Sequence, residues 1–271
     1  MQKIDKVLNF KETNEMTSEE LEEYKVKLFN DSVGDLNEED GIDCPICKNK
    51  GFVKYLTKQN NWLHEVAKRC ECMKKRQSVK TAKKSGLGEY LNKRFKDFNA
   101  KEDWQKQCQM TMFDYCKNSE NISNWFVVVG QVGAGKTLLC SIVANNFLFN
   151  LKKQVLYITW TDFISRLKRD MMGDNTNEVS EYLEELKNVE VLFLDEVLKK
   201  YNDTDLKYLM EIINYRYTKK LITLMTSEKE REDLLNIDEA TFSRIIEMSG
   251  KYFIEIPKDR NKNYRLRKED N

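Results

Sequence analysis

In the C-terminal two thirds of the chain, short continuous apolar runs alternate with stretches of helical periodicity. Buried strands are predicted at 125–129, 155–160, 191–194, 221–226 and 252–256. Helices are predicted at 136–150, 161–172, 203–218 and, for most of its length, 234–248. Continuous apolar strands separated by helices are typical of a parallel sheet covered on both faces. The pattern therefore predicts an α/β fold.

The N-terminal third has a different pattern. Thr17 and Glu20 have the spacing of a capping box, and apolar residues follow at helical spacing as far as Leu28. This predicts a helix at 17–29. A second helix, rich in lysine, is predicted from 73 to about 84, before two glycines.

These patterns divide the chain into four expected regions, with the main domain boundary near residue 90. Phe95, Phe98 and Trp104 are the expected anchors of the third region on the fourth. The regions are an acidic helical segment at 1–43, a cysteine-containing domain with the basic helix at 44–90, a docking linker at 91–120, and the α/β domain at 121–271.

Charge is unevenly distributed, although the net charge is only +1. Residues 1–43 carry 5 Lys and Arg against 13 Asp and Glu, a net charge of −8. Residues 73–101 carry 10 against 2, a net charge of +8. Two segments of opposite charge favour different binding partners for each. Either charged segment taken alone is also typical of a solvated helix face.

The sequence favours a cytoplasmic protein without membrane contact. No apolar stretch is long enough to cross a bilayer, and the first residues lack the apolar core of a signal peptide. In that compartment, seven cysteines favour free thiols or metal ligation over disulfides.

Gly130-Gln-Val-Gly-Ala-Gly-Lys-Thr137 matches the phosphate-binding pattern G-x4-G-K-T, between a predicted strand and a predicted helix. Glycines let backbone amides approach phosphates, and the helix N-terminus adds partial positive charge. We expect Lys136 to reach the β- and γ-phosphates of ATP and Thr137 to bind Mg2+. The other expected nucleotide contacts are Gly130, Gly133, Ala134, Gly135 and Leu138.

An acid pair follows the strand at 191–194. The strand brings Asp195 to the sheet edge beside the phosphate loop, where its carboxylate is expected to hold Mg2+. Glu196 comes next and is placed to orient and deprotonate a water that attacks the γ-phosphate. The pair therefore predicts an ATPase that produces ADP and phosphate.

Four cysteines form two close pairs 22 residues apart, Cys44 with Cys47 and Cys70 with Cys72. Two such pairs can complete a tetrahedral Zn2+ site, which would supply folding energy to a segment with little core. His64, the only histidine, is an alternative ligand that four sulfurs make unnecessary. The remaining thiols are expected in the apolar core: Cys108, Cys116 and Cys140.

Further motifs accompany the phosphate loop and the acid pair: Cys44-Pro-Ile-Cys47, Lys68-Arg-Cys-Glu-Cys72, Phe95-Lys-Asp-Phe98, Ile213-Asn-Tyr-Arg-Tyr217 and Ser243-Arg-Ile245. In this order the set resembles bacterial and phage helicase loaders, the DnaC/DnaI type of AAA+ ATPase. The resemblance spans roughly residues 44–267. It implies a five-stranded AAA+ core, a hexameric replicative helicase as partner, and binding of single-stranded DNA.

By the same resemblance, Arg244 corresponds to an arginine finger. Such a guanidinium completes the ATP site of a neighbouring subunit and stabilises charge on the transferring phosphoryl group. This implies self-association through Arg244 in an assembled state. The residues alone also allow a surface salt bridge with Glu239 or Glu247.

The helix after the second core strand occupies the place where loaders insert a DNA-contacting helix. The resemblance implies that Phe163 stacks on a base and that Arg166, Lys168 and Arg169 follow phosphates. The periodicity alone also allows an ordinary amphipathic helix with Phe163 in the core.

Some positions depart from the family pattern. Loaders often place an Asn after the fourth core strand to polarise the attacking water, whereas this chain has Glu228, whose carboxylate would repel the γ-phosphate. Either Thr226 or Ser227 does that work, or turnover is slow. A glycine that loaders tend to carry after the acid pair is replaced within Val197-Leu-Lys-Lys200. Arg265 is either a second phosphate sensor or part of a basic tail.

The sequence therefore predicts a helicase loader that binds ATP and Mg2+ at 130–137 and 195–196. By analogy, its zinc-ordered N-terminal domain and acidic helix engage the helicase. Two alternatives stay open. One is a transposition helper ATPase, which shares the AAA+ half but usually lacks the cysteine segment. The other is an ATP-binding switch with little hydrolysis, which Glu228 suggests.

Overall fold

A computed structural model of the chain describes residues 16–59, 62–84, 86–172 and 176–266. The first fifteen residues of the expected acidic segment, and Arg267 at the end of the region of resemblance, lie outside these ranges. The chain forms two compact units that divide between Gln77 and Ser78. Each unit contains one sheet, antiparallel in the first and parallel in the second.

The N-terminal unit combines helices with a hairpin. Helix α1 (Ser18–Asp31) begins at the predicted capping box, in which Thr17 Oγ1 accepts from the Glu20 amide at 3.3 Å and the Glu20 carboxylate accepts from the Thr17 amide at 2.8 Å. The hairpin was not predicted, because none of its described side chains is buried and no apolar alternation marks it. The elements that follow α1 are α2 (Leu36–Asp40), β1 (Phe52–Gln59), β2 (Trp62–Arg69) and α3 (Cys72–Lys84), which matches the predicted basic helix.

The C-terminal unit is built on the predicted five-stranded parallel sheet. Its strands are β3 (Phe126–Gly130), β4 (Val155–Thr159), β5 (Val191–Asp195), β6 (Ile222–Ser227) and β7 (Phe253–Ile256). Their order across the sheet is β4, β5, β6, β3, β7, and each neighbouring pair is parallel. All residues of β3, β5 and β6 are buried, which accounts for their continuous apolar runs.

The helices of this unit are α4 (Asp103–Asn118), α5 (Lys136–Asn145, continued by a π-helical turn at 146–150), α6 (Trp160–Met172), α7 (Thr176–Asn188), α8 (Asp203–Lys219), α9 (Arg231–Ile237) and α10 (Glu239–Ser249). Helix α7 was not predicted. The single helix expected at 234–248 is divided at Asp238, which caps α10 by accepting from the Ala240 amide at 3.2 Å. Short 3-10 turns lie at Leu87–Tyr90, Phe95–Asp97, Gly250–Tyr252, Arg260–Lys262 and Tyr264–Leu266.

The two units divide inside α3, earlier than the boundary expected near residue 90. The residues after α3 are held by the C-terminal unit, because the Asn145 side chain donates to the carbonyl oxygens of Tyr90 at 2.7 Å and Lys93 at 3.0 Å. Phe98, one of the expected anchors, is buried. Residues 87–98 therefore belong to the C-terminal unit.

Buried side chains join the sheet to the helices beside it, with Trp125, Phe193 and Phe242 among the largest. Cys108 and Cys140 are buried as expected, and Cys116 is half-buried. Of the helices in the described part of the chain, none combines the length and apolarity needed to cross a membrane.

Candidate nucleotide site

The phosphate loop leaves β3 and enters α5. Gly130, Gly133 and Gly135 have φ angles of 100°, 70° and 85°, a region that L side chains rarely adopt. A Cβ on Gly130 would lie 2.0 Å from the carbonyl oxygen of Ile256, and one on Gly133 would lie 2.0 Å from Oδ1 of Asn263. Both the backbone conformation and the close approach of neighbours therefore require glycine in this loop.

Lys136 opens α5 and is 7% exposed. Its Nζ donates to the carbonyl oxygens of Gly130 at 2.9 Å and Gln131 at 2.7 Å. Burial lowers the pKa of this ammonium, and the negative charges of Glu228 and Asp195 oppose that effect. A buried cation inside a glycine loop fits the phosphates of a nucleotide.

Asp195 ends β5 and is 3% exposed. Its Oδ1 accepts from Thr137 Oγ1 at 3.0 Å and from the hydroxyl of Thr226, while its Oδ2 accepts from the Tyr157 hydroxyl at 2.9 Å. Burial raises the pKa of the carboxyl, and these hydrogen bonds act to lower it. The structure thus places the side chains of Thr137 and Asp195, the predicted Mg2+ ligands, in contact. Both offer oxygen atoms, which this ion prefers as ligands.

Glu196 has a left-handed backbone, with φ at 55°. Its amide donates to Thr226 Oγ1 at 3.0 Å, which directs the residue toward the end of β6. Its carboxylate is paired with Lys199 Nζ at 3.0 Å, and the same ammonium lies 3.4 Å from Glu228 Oε1. Sequence reasoning did not find Lys199.

A cavity of about 500 Å³ opens beside the loop, a volume suited to a small-molecule cofactor. Its lining combines polar or charged side chains with aromatic rings. The polar lining is Asp97, Asn99, Lys136, Thr137, Glu196, Thr226, Glu228 and Arg265, and the aromatic lining is Tyr90, Phe98 and Tyr264. Arg265 and Thr226 therefore line the cavity, whereas Ser227 is not among its described lining residues.

The aromatic lining was not predicted. Tyr264 reaches the loop because its amide donates to the Gly133 carbonyl at 3.0 Å and its hydroxyl donates to the Asn99 carbonyl at 2.9 Å. These contacts join segments more than a hundred residues apart, and no spacing in the sequence marks them. Phe98 was expected only as an anchor.

Arg244 lies half-buried on α10, and the described lining of the cavity does not include it. Its Nη1 donates to Asn214 Oδ1 at 2.9 Å, and its guanidinium lies 5.8 Å from the centre of the Tyr217 ring. Within the described residues, neither Glu239 nor Glu247 forms an ion pair with it; Glu247 accepts from the Tyr217 hydroxyl at 2.9 Å. The salt-bridge alternative is thus not the arrangement found.

Phe163 does not face solvent. It is 2% exposed and packs against the rings of Trp160 at 5.3 Å and Tyr182 at 5.7 Å. The expectation that it stacks on a base is therefore wrong for this structure, because the ring belongs to the core between α6 and α7. The three basic residues of α6 are exposed, as expected: Arg166, Lys168 and Arg169.

In the N-terminal unit, the four predicted zinc ligands converge. The sulfur atoms of Cys44 and Cys70 lie 3.7 Å apart, those of Cys47 and Cys72 lie 3.5 Å apart, and all four fall within 4.8 Å of one another. A tetrahedral site with Zn–S bonds of about 2.3 Å requires sulfur separations of about 3.8 Å. The cluster therefore fits one Zn2+. His64 is exposed on β2 and is not part of it.

Hydrogen bonds already stabilise the thiolate form at one of these cysteines. Burial acts to raise the pKa of Cys47, but the Gly51 amide, which donates to Cys47 Sγ at 3.3 Å, and the neighbouring thiols hold it at about 7. Burial raises the pKa of Cys70 and of Cys72 in the same cluster, so a metal, which binds thiolates, would have to stabilise their deprotonated forms.

The family model of IstB-like ATP binding proteins matches residues 57–254. The chain belongs to this family. The IstB-like chain is 30% identical over 227 residues to the phage-like element PBSX protein XkdC of Bacillus subtilis, covering 79% of this chain and 82% of that protein. It is 28% identical over 153 residues to the replicative helicase loader DnaC of Buchnera aphidicola, covering 56% of this chain and 62% of that protein.

Solved structures resemble the IstB-like chain in fold. The DnaC helicase loader matches with a TM-score of 0.54 at 22% identity, over 62% of this chain and 98% of that one. The replication initiator DnaA bound to AMPPCP and single-stranded DNA matches with a TM-score of 0.51 at 20% identity, over 62% of this chain and half of that one. The C-terminal unit therefore has the AAA+ fold, and the expected membership of the DnaC-like ATPases is confirmed.

Proposed function

We propose that this IstB-like protein hydrolyses ATP and uses the ATP cycle to place a hexameric replicative helicase on single-stranded DNA. The observation that carries the ATPase part is that Lys136, Thr137 and Glu196 line one nucleotide-sized cavity, while Asp195 accepts a hydrogen bond from Thr137 at 3.0 Å. The named relatives and the four-cysteine unit favour helicase loading. A transposition helper shares the ATPase unit but usually lacks such a cysteine unit.

Each side chain has a defined part in the proposed hydrolysis. Lys136 offsets the charge of the β- and γ-phosphates. Thr137 and Asp195 would hold Mg2+, which when bound neutralises charge that develops on the phosphates. Glu196 accepts a proton from water as the water oxygen bonds to the γ-phosphorus. The bond from that phosphorus to the bridging oxygen breaks, leaving ADP and phosphate.

Arg244 serves the assembled state in this proposal. It lies outside the described lining of the cavity of its own chain, and Asn214 and Tyr217 of α8 contact its guanidinium. A fixed guanidinium at a subunit interface can stabilise the transferring phosphoryl group of a neighbour. We therefore propose that subunits associate through Arg244.

The exposed face of α6 is the proposed contact for the DNA backbone. Arg166 lies 3.5 Å from Asp170, and Lys168 lies 3.0 Å from Asp205. Both cations are exposed and can exchange these partners for phosphates, and Arg169 extends the same surface. With Phe163 buried, this contact is electrostatic and independent of base sequence.

In the N-terminal unit, zinc held by the four cysteines would fix two distant segments of chain, since a closed structural site supplies folding energy. We assign this unit and α1 to helicase binding. The acidic helix face, with Glu19 and Glu20 in its first turn, is suited to a basic partner.

The test uses the full chain with purified host helicase and circular single-stranded DNA. Glu196→Gln should bind ATP as the native chain does, retain helicase in an affinity capture, and fail in turnover and loading. Glu185→Gln, an exposed substitution on α7, is the matched control and should behave as native. Unchanged hydrolysis in Glu196→Gln would show that another group is the base, and absence of helicase capture would end the loader proposal.

A second candidate, an ATP-binding switch with little hydrolysis, is favoured by one observation. One oxygen of the Glu196 carboxylate is occupied by an ion pair with Lys199 at 3.0 Å. The two functions differ in turnover with helicase and DNA present. A loader ATPase is stimulated under those conditions, whereas a switch keeps its low rate.

A further inference from the structure

Two carboxylates of the cavity share one ammonium group. Lys199 Nζ lies 3.0 Å from Glu196 Oε1 and 3.4 Å from Glu228 Oε1. The side chains of Glu196 and Glu228 are only 32% and 25% exposed, so solvent screens the charges incompletely. Pairing with Glu196, and then the charge of Glu228, raise the pKa of Lys199, so the ammonium stays charged.

The negative charge of Glu228 disfavours binding of a triphosphate in this cavity, and Lys199 offsets that charge. Glu228 lines the same cavity as Lys136, and its negative charge acts to raise the pKa of the buried Lys136 ammonium. Because Lys136 reaches the β- and γ-phosphates in loops of this type, Glu228 faces the end of the cavity where the γ-phosphate binds. An uncompensated carboxylate there repels a triphosphate more than a diphosphate.

The backbone places Lys199 where it can compensate this charge. Glu196 and Leu198 both have left-handed φ angles, 55° and 58°, which are unfavourable for residues with a Cβ. The loop keeps this conformation because the Val197 amide donates to the Thr226 carbonyl at 2.9 Å and Ser227 Oγ donates to the Val197 carbonyl at 2.8 Å. These bonds tie the turn that carries Lys199 to the end of β6, directly before Glu228.

We propose that Lys199 is a specificity-determining residue, which allows this cavity to accept a triphosphate despite Glu228 and favours ATP over ADP. The proposal rests on ATP occupying the cavity as in the proposed function. Lys199 neutralises Glu228 beside the γ-phosphate and keeps the Glu196 carboxylate in position through a second ion pair. It is a positioning residue, since its described contacts are with the two carboxylates.

The experiment measures equilibrium binding of AMPPNP and of ADP, each with Mg2+ at one ionic strength, by competition with a fluorescent nucleotide. Lys199→Met removes the positive charge and should lower the affinity for AMPPNP roughly tenfold, while it changes the affinity for ADP much less. Glu228→Gln should strengthen AMPPNP binding. In the Glu228→Gln background, Lys199→Met should then reduce the AMPPNP affinity far less than it does in the native chain, because the repelling carboxylate is gone.

Two controls accompany the series. Lys199→Arg keeps the positive charge and should retain the preference for AMPPNP. Lys200→Met changes the neighbouring exposed lysine and should leave both affinities unchanged. Equal weakening of both nucleotides by Lys199→Met, or the same loss with and without Glu228→Gln, would overturn the proposal. Absence of hydrolysis or of helicase capture would defeat the proposed function and still leave this binding measurement interpretable.

Discussion

The hydroxyl of Tyr157 donates a hydrogen bond of 2.9 Å to Oδ2 of Asp195. The two residues lie on the neighbouring parallel strands β4 and β5, where Tyr157 is paired with Phe193 in register. Because Thr137 and Thr226 occupy Oδ1, hydroxyl groups on both oxygens fix the orientation of this buried carboxylate. Tyr157 thus helps to orient the proposed Mg2+ ligand through this hydrogen bond.

Tyr157→Phe should weaken Mg2+ binding without unfolding the chain. Outer partners of metal ligands typically contribute 10- to 100-fold in metal affinity, so we expect the Mg2+ concentration for half-maximal AMPPNP binding to rise roughly tenfold. A Mg2+ titration at fixed AMPPNP measures this. Tyr217→Phe removes a hydroxyl that bonds Glu247 on the surface and should leave the titration unchanged. The same midpoint in both variants would mean that Tyr157 does not orient Asp195.

The zinc proposal predicts about one Zn2+ per chain in metal analysis. Cys70→Ser should release the metal and unfold the N-terminal unit, because the site is its main source of folding energy, while the ATPase unit melts as before. Cys116→Ser replaces a half-buried thiol outside the cluster and should keep the metal. A metal-free chain with an intact N-terminal unit by hydrogen exchange would contradict the assignment.

The sheet could be predicted because its central strands β3, β5 and β6 are buried throughout, so that each reads as a short continuous apolar run between helical patterns. The phosphate loop and the acid pair could be predicted for a similar reason, since their chemistry is contained in contiguous residues. The four cysteines were found by spacing alone. In each case the signal is local in sequence.

The features that were missed depend on contacts between distant elements. Helix α7 was not predicted, although Val179, Leu183 and Leu186 have helical spacing on its buried face. Tyr182 of this helix packs against Phe163, and without α7 the sequence could not decide between core burial and base stacking for Phe163. The same apolar ring would serve a core or a DNA surface, and only the neighbouring helix decides which.

The role of Arg216 also depends on contacts between distant elements and could not be predicted from the sequence. It is fully buried, and its Nη1 donates to the carbonyl oxygens of Leu186, Lys187 and Val189 at 2.9, 3.0 and 2.9 Å. It therefore satisfies the orphan carbonyls at the C-terminal end of α7. The sequence marks Arg216 only as part of a family motif, because its role depends on the unpredicted helix.

The shared-site proposal for Arg244 gives the last prediction. If Arg244 acts on the ATP of a neighbouring subunit, an isolated chain has an incomplete site and hydrolyses ATP slowly. Arginine fingers contribute on the order of 10^3–10^5 in rate, so assembly on helicase or single-stranded DNA should raise turnover markedly. Arg244→Ala should abolish that stimulation and leave the ATP affinity of the single chain nearly unchanged, since Arg244 lies outside the described lining of its own cavity.

Mixing two inactive variants distinguishes this model from a structural role of Arg244. Arg244→Ala lacks the finger but keeps the phosphate loop, whereas Lys136→Ala lacks the loop lysine but keeps the finger. In a mixed assembly, the Lys136→Ala chain can supply Arg244 to the cavity of a neighbouring Arg244→Ala chain, which still has its own Lys136. That interface contains one complete site, so part of the stimulated turnover should return. Arg231→Ala, a surface change on α9, is the control and should be stimulated as the native chain is. A mixture that stays inactive while both variants still bind helicase would rule out the shared site.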